Sequence, residues 1–328
     1  MARGHRWSWR AAGLVLAAAC LLAAPAAAEQ SAASAAARGR VTPFSVQVTD
    51  PSLPAPARKA LAGKVGALVE RALATPALHD PRGFSIRRSV SIHGPQDGFP
   101  ARQPARAEAV LIPQEIDLES GAKPDAAGTY MGRLEGPTFR IFVNDLMALY
   151  ANSNGGEDAS RTVQHLPLQV GTAQGFPVFR VGIRDVVLVA RTGRLPWTYV
   201  TKGERLQGLI DETRATIAQI GGVPHPKMQA TLDQQTAALA ALSSQERSAP
   251  ACVSARLREP FGDCAATGAT HYVRPNPAYF DPAAPKDAVQ LVMVGAPAEG
   301  GHGHPRLEPK LRAAAAALDY RAIQASLD

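Results

Sequence analysis

Four arginines and a tryptophan, Arg180, Arg184, Arg191, Arg194 and Trp197, fall within one short stretch of the chain. Guanidinium groups fork onto carboxylates and phosphates through paired N–H donors, and an indole beside them offers a flat apolar surface. The set suits a small anionic ligand: a carboxylate, a phosphate or a sugar acid. The plainer reading of the same residues is that the arginines solvate the open face of an antiparallel sheet. Phe179, Val181 and Ile183 alternate with Arg180, Gly182 and Arg184, so Arg180 and Arg184 are expected on one strand face, opposite the apolar three.

His302-Gly303-His304 could chelate a metal from a flexible loop. A site needs a third ligand, so the fold would have to bring up His271 or His225. Without it the segment is a solvated loop, and we expect no metal and no other cofactor. Ser120-Gly121-Ala122-Lys123 matches the S-x-x-K of penicillin-recognising enzymes. There the lysine reaches the serine one helical turn earlier, and here Gly121 and Pro124 oppose a helix. The partner motifs S-D-N and K-T-G are absent, as are G-x-S-x-G, H-E-x-x-H, a P-loop and a dinucleotide fingerprint. No catalytic residue is therefore assigned. An enzyme would have to assemble its site from distant residues, such as His271 and Glu204 near the arginine hairpin.

Residues 1–28 read as a secretory signal peptide. Arg3, Arg6 and Arg10 form its basic start, Ala11 to Ala24 its apolar centre, and Pro25-Ala26-Ala27-Ala28 its small-residue exit, which places cleavage before Glu29. Two alternatives stand beside this: an uncleaved anchor helix, and a lipidated Cys20, although Ala17 stands where a lipoprotein usually has Leu. Residues 1–28 hold three arginines and no acid, so the net charge of +7 falls to +4 once they are gone. That mild charge forms no basic run and does not point to nucleic acid. No membrane span is expected after cleavage. Two cysteines remain, Cys252 and Cys264, and two thiols in an oxidising compartment usually pair. The loop so closed holds about 13 residues, worth about 3 kcal/mol in the chain-entropy model.

The elements that must position these groups follow from periodicity. Residues 29–56 are low in complexity and start as a mobile tether, with a short strand where Phe44, Val46 and Val48 alternate. Leu61, Val65, Leu68 and Ala72 share one helical face in 57–74. Strands are expected at 84–92, 109–112, 138–144, 179–183, 186–190 and 196–200, the last ones a β-meander ending in a hairpin. Thr201-Lys202-Gly203-Glu204 is a capping box opening a helix with Leu206, Ile210, Thr213, Ile217 and Ile220 on one face. Gly221-Gly222 ends it, and Pro226 starts a second helix with Met228, Leu232, Leu239 and Leu242. A strand at 288–294 and an Ala-rich helix from Pro309 close the chain.

The segment Val186–Leu206 resembles one found in uncharacterised secreted bacterial proteins. An apolar strand and a Gly-Arg turn lead into Pro-Trp-x-x-Val-Thr-x-x-Glu-x-Leu, and a late Asn-Pro-x-Tyr-Phe recurs at Asn276–Phe280. The resemblance implies export and a strand–helix joint. It carries no known activity, so no site residue transfers.

The expected fold is α+β: an antiparallel β-meander with the helical hairpin packed on one face. Residues 57–328 are expected as one domain, loosely packed from 249 onward. The expected function is non-enzymatic: a periplasmic or extracellular protein that binds a small anionic ligand or an envelope protein. An exported hydrolase is the alternative.

Overall fold

A computed structural model describes residues 30–94, 103–150, 163–222, 225–254, 259–301 and 303–328. The signal-peptide reading, with Cys20 and the cut before Glu29, lies outside them, as does His302.

The chain opens with α1 (Ala32–Ala36) and β1 (Ser45–Val48), then the long helix α2 (Ala55–Leu73). Three strands follow, β2 (Phe84–His93), β3 (Arg106–Glu115) and β4 (Phe139–Val143), then α3 (Met147–Tyr150). The middle holds β5 (Gln164–His165), β6 (Gln169–Ala173), β7 (Phe176–Val181), β8 (Arg184–Ala190) and β9 (Trp197–Tyr199). Helices α4 (Lys202–Gln219), α5 (Pro226–Ala241) and α6 (Ser244–Ser248) precede β10 (Tyr272–Pro275) and β11 (Leu291–Pro297), and α7 (Glu308–Ala317) and α8 (Tyr320–Ala325) end the chain.

The class is α+β, but the main sheet is mixed rather than a pure antiparallel meander. Its order is β1-β2-β3-β4-β11-β8-β7-β6. β1 and β2 are parallel, with Ser45 opposite Ser89. Parallel neighbours need a crossover long enough to return the chain to the same end, and α2 supplies it. The remaining pairs are antiparallel. The β6–β7 turn puts Gln174 and Gly175 at positive φ, 53° and 90°, which matches the twist of a two-residue hairpin.

The expected final strand of the meander leaves this sheet. β9 pairs with β10, and β10 with β5, in a separate three-stranded sheet. Nor is the stretch from 249 loosely packed throughout: every residue of β11 is buried, and the strand lies between β4 and β8. Leu-Val-Met-Val is apolar on both faces because both are covered. The 29–56 segment is not a free tether either. Gln30 Nε2 donates to the carbonyls of Gly83 and Ile116, each at 2.8 Å, and Ser34 is buried.

One sheet face packs against Leu61, Val65, Leu68 and Val69 of α2, Leu311 and Ala314 of α7, and Tyr320 and Ile323 of α8. The opposite face of the β4–β11–β8–β7 half lies under Met147, Leu149, Trp197, Tyr279 and Phe280. The α4–α5 hairpin forms as expected, and its capping box is real: Thr201 Oγ1 accepts from Glu204 N at 3.2 Å, and Glu204 Oε2 accepts from Thr201 N at 2.8 Å. It does not form a layer on the main sheet. Leu206 and Ile210 alone are buried in α4, no residue of α5 is, and Ile220 is 54 % exposed. The two helices pack chiefly on each other, so a narrow apolar stripe suffices.

Candidate functional site

The sheet register lays one row of residues across seven strands. Ser45 lies opposite Ser89, Ser89 opposite Val110, Val110 opposite Arg140, Arg140 opposite Gly295, Gly295 opposite Val186, and Val186 opposite Phe179. Directly opposed residues share a face, so the row runs from hydroxyls to the apolar cluster under Trp197. Ser45 is exposed, Ser89, Val110 and Arg140 are half-buried, and Val186 and Phe179 are buried. Arg140 and Gly295 thus stand where the open polar half of this face meets the covered half.

Two strands bring a guanidinium to that boundary. Arg140 projects from β4 and Arg184 from the start of β8, with β11 between them. Gly295 has no side chain to separate them. A Cβ there would lie 3.7 Å from Arg184 Cδ, so the stem of Arg184 runs close over the glycine. Arg184 Nη2 and Arg140 Nε each lie 3.4 Å from the Thr138 hydroxyl. Arg140 Nη1 also donates to Glu108 Oε1 at 2.6 Å. Glu108 is the carboxylate that compensates the pair.

The charge is unbalanced as a result. Arg184 is held below the usual guanidinium range, first by burial and then by the nearby Arg140, while Glu108 pulls the other way. Arg184 Nε is buried and has no hydrogen-bond acceptor among the described residues. Two planar forks facing one hydroxyl, with Glu108 bonded to Arg140 on the side away from Arg184, can take a tetrahedral or planar oxyanion.

The other expected site residues are not gathered here. Gly182, at φ 58°, begins a turn after β7, so Arg180 pairs with Asp185 and Arg184 with Val181. Arg180 and Arg184 therefore point to opposite faces, and Arg180 Nε is 2.5 Å from Asp185 Oδ1. Arg191 is bound to the carbonyl of Tyr279, and its guanidinium lies 5.3 Å from that ring's centre. Arg194 is exposed. Trp197 is 4 % exposed and packs edge-on to Phe179 at 5.9 Å, so the indole fills the core and offers no platform. Thr138, Arg140 and Glu108 were missed from sequence. Only the alternation around Phe139 and Ile141 marks Arg140 as facing away from the helix-covered core.

The histidines are dispersed. His225 caps α5, its Nδ1 accepting from Lys227 N at 3.3 Å. His304 Nε2 lies 4.0 Å from Glu115, a carboxylate already gripped by Arg306 through two nitrogens. His271 Nδ1 is 3.1 Å from Cys252 Sγ. Cys252 and Cys264 are disulfide-bonded, with Cα atoms 5.3 Å apart. Among the described residues the one group of three potential metal-ligand side chains is Cys252, Cys264 and His271.

The expected His271–Glu204 pair does not form, because Glu204 is taken by Thr201 and by Arg274 at 3.0 Å. Ser120 lies in a turn, its hydroxyl donating to the Asp117 carbonyl, and Gly121 at φ 82° breaks the register that would carry Lys123 back to it. No helix among the described residues is long and apolar enough to cross a membrane. No family model matches the chain, and neither a curated protein nor a solved structure is detectably similar to it.

Proposed function

We propose that the chain is an exported, non-enzymatic protein of the cell envelope or its surroundings that binds a small anion between Arg140 and Arg184. The observation that carries this reading is the convergence of both guanidiniums on Thr138 across Gly295, with Glu108, bonded to Arg140, the one carboxylate beside them among the described residues. An oxyanion placed there relieves the repulsion between the arginines and supplies an acceptor to donors that the fold leaves underused. The disulfide supports an oxidising location, and with the sequence of residues 1–28 it favours the periplasm or the medium.

The test is a thermal-shift series with phosphate, a dicarboxylate and a uronic acid at constant ionic strength. The wild type should be stabilised by at least one of them. Arg140→Met and Arg184→Met should each lose that shift. A ligand that stabilises both variants as well as the wild type would place binding elsewhere and sink this reading.

A further inference from the structure

Cys252 and Cys264 are unequal partners in their disulfide. Cys252 is fully buried, while Cys264 is exposed. Cys252 stands directly across from His271 in an antiparallel bridge, so their side chains leave the backbone on the same side. The imidazole Nδ1 sits 3.1 Å from the buried sulfur. Its ring is fixed edge-on against Tyr199, with centres 4.9 Å apart. A disulfide that serves only to close a loop needs no proton donor at either sulfur.

Thiol–disulfide exchange requires an accessible sulfur for the incoming thiolate, in line with the S–S bond, and a stabilised leaving sulfur on the far side. The exposed Cys264 answers the first need. The buried Cys252, with His271 beside it, answers the second.

We propose that Cys252–Cys264 is an exchanging disulfide, attacked at Cys264 by a dithiol and assisted by His271 at the departing sulfur of Cys252. In the first step a thiolate of the dithiol bonds to Cys264 Sγ. The Sγ–Sγ bond breaks, and its electron pair leaves on Cys252 Sγ. The Nδ1–H of the neutral imidazole donates a hydrogen bond to that departing thiolate, which then takes its proton from water. In the second step the dithiol's other sulfur, as thiolate, attacks its own sulfur in the mixed disulfide and expels the Cys264 thiolate, which is then protonated. The dithiol is oxidised to a disulfide, and the protein disulfide is reduced to two thiols. Run in reverse, the same steps oxidise a dithiol client. Burial keeps His271 below its usual imidazole range, so at neutral pH the ring is uncharged and the sulfur faces a neutral donor in the oxidised state.

The experiment uses the full folded chain in native buffer with dithiothreitol as the probe, quenched by alkylation and read by mass. The wild-type disulfide should be reduced without unfolding, and His271→Phe, which keeps a ring against Tyr199 but has no donor, should slow reduction several-fold. Single-cysteine variants give a readout that leaves His271 in place. With oxidised glutathione, Cys252→Ser should form a mixed disulfide at Cys264, and Cys264→Ser should form none at the buried Cys252. A wild-type disulfide that resists dithiothreitol until the protein unfolds would overturn the proposal. So would an unchanged rate in folded His271→Phe, or adducts forming on Cys252.

Discussion

Arg140 and Arg184, on strands separated by β11, both reach the hydroxyl of Thr138 at 3.4 Å. Two like charges meet because the position between them is Gly295, and because Glu108 stands on the far side of Arg140. The arrangement is electrostatically costly, since Arg184 is both partly desolvated and repelled by Arg140. That cost is what an anion would remove.

Arg184→Met should therefore leave the free protein within about 0.5 kcal/mol of wild type, or slightly more stable, because an apolar stem of similar length keeps the contact over Gly295. Arg180→Ser, which breaks only the exposed pair with Asp185 on the other face, should also cost less than about 1 kcal/mol and leave the proposed anion binding intact. Urea unfolding of each variant measures this. A loss of several kcal/mol in Arg184→Met would mark the arginine as a structural strut instead.

The two arginine positions show what the sequence could and could not tell. Alternation over 179–183 and the apolar run 186–190 point to strands, yet a continuous alternating strand puts Arg180 and Arg184 on one face, and the turn at Gly182 reverses that. A glycine in such a pattern carries the signal, but its φ does not follow from residue type alone. The partners Thr138, Arg140 and Glu108 were out of reach because they meet Arg184 through the placement of β11 between β4 and β8, a pairing set by distant packing. Local rules did better where the chain answers only to itself. The Thr201–Glu204 cap and the Gly-Gly helix end were legible because their bonds span a few residues. The periodic faces of α4 and α5 were legible too, but periodicity says that a stripe is covered, not by what.

Asn144 should be among the most sensitive positions in the fold. It is fully buried at φ 56°, its Nδ2 donates to the carbonyls of Ala105 at 2.9 Å and Ala288 at 2.7 Å, and its Oδ1 accepts from Gln290 N and Leu291 N. Asn144→Ala strands buried backbone groups and forces a methyl into left-handed backbone, so about 3 kcal/mol or more should be lost. Asn144→Gly removes the same side chain but tolerates the φ, and should recover about 1 kcal/mol of that. Chemical denaturation of the two variants separates the parts, and equal losses would refute the backbone share.

Leu206 and Leu232 test how the helical hairpin is attached. Leu206 is fully buried near the root of α4, whereas Leu232 is half-buried on α5. Leu206→Ala should cost about 2–5 kcal/mol, and Leu232→Ala less than about 1 kcal/mol. Comparable losses would mean that α5 is seated against more of the protein than α4.

Thr201→Ala should cost on the order of 1 kcal/mol, because Glu204 N loses its acceptor at the first turn of α4. The Thr201 backbone N–H is the largest influence holding Glu204 below its ordinary range; burial, next in size, opposes it, and the Thr201 side chain and Arg274 add to the lowering. A variant that unfolds like wild type while losing anion binding would contradict a purely structural role for the cap.

Asp125 offers a test of pH dependence with a definite sign. Its Oδ2 accepts from the Thr129 hydroxyl at 2.6 Å, its Oδ1 from the backbone N–H groups of Thr129 and Ala127, and Arg40 Nη2 lies 2.6 Å from Oδ2. These contacts, the Thr129 hydroxyl first, lower its pKa to about 2. In the unfolded chain an aspartate titrates near 3.9, so the folded state binds this proton more weakly. The contribution to stability is present above the unfolded pKa and is lost as pH falls from about 4 through about 2. Carboxyl NMR titration should find the Asp125 midpoint near the lower value, and Thr129→Val should move it toward the ordinary one. A wild-type midpoint already at the ordinary aspartate value would mean that the Thr129 and Arg40 contacts do not hold the carboxylate in solution.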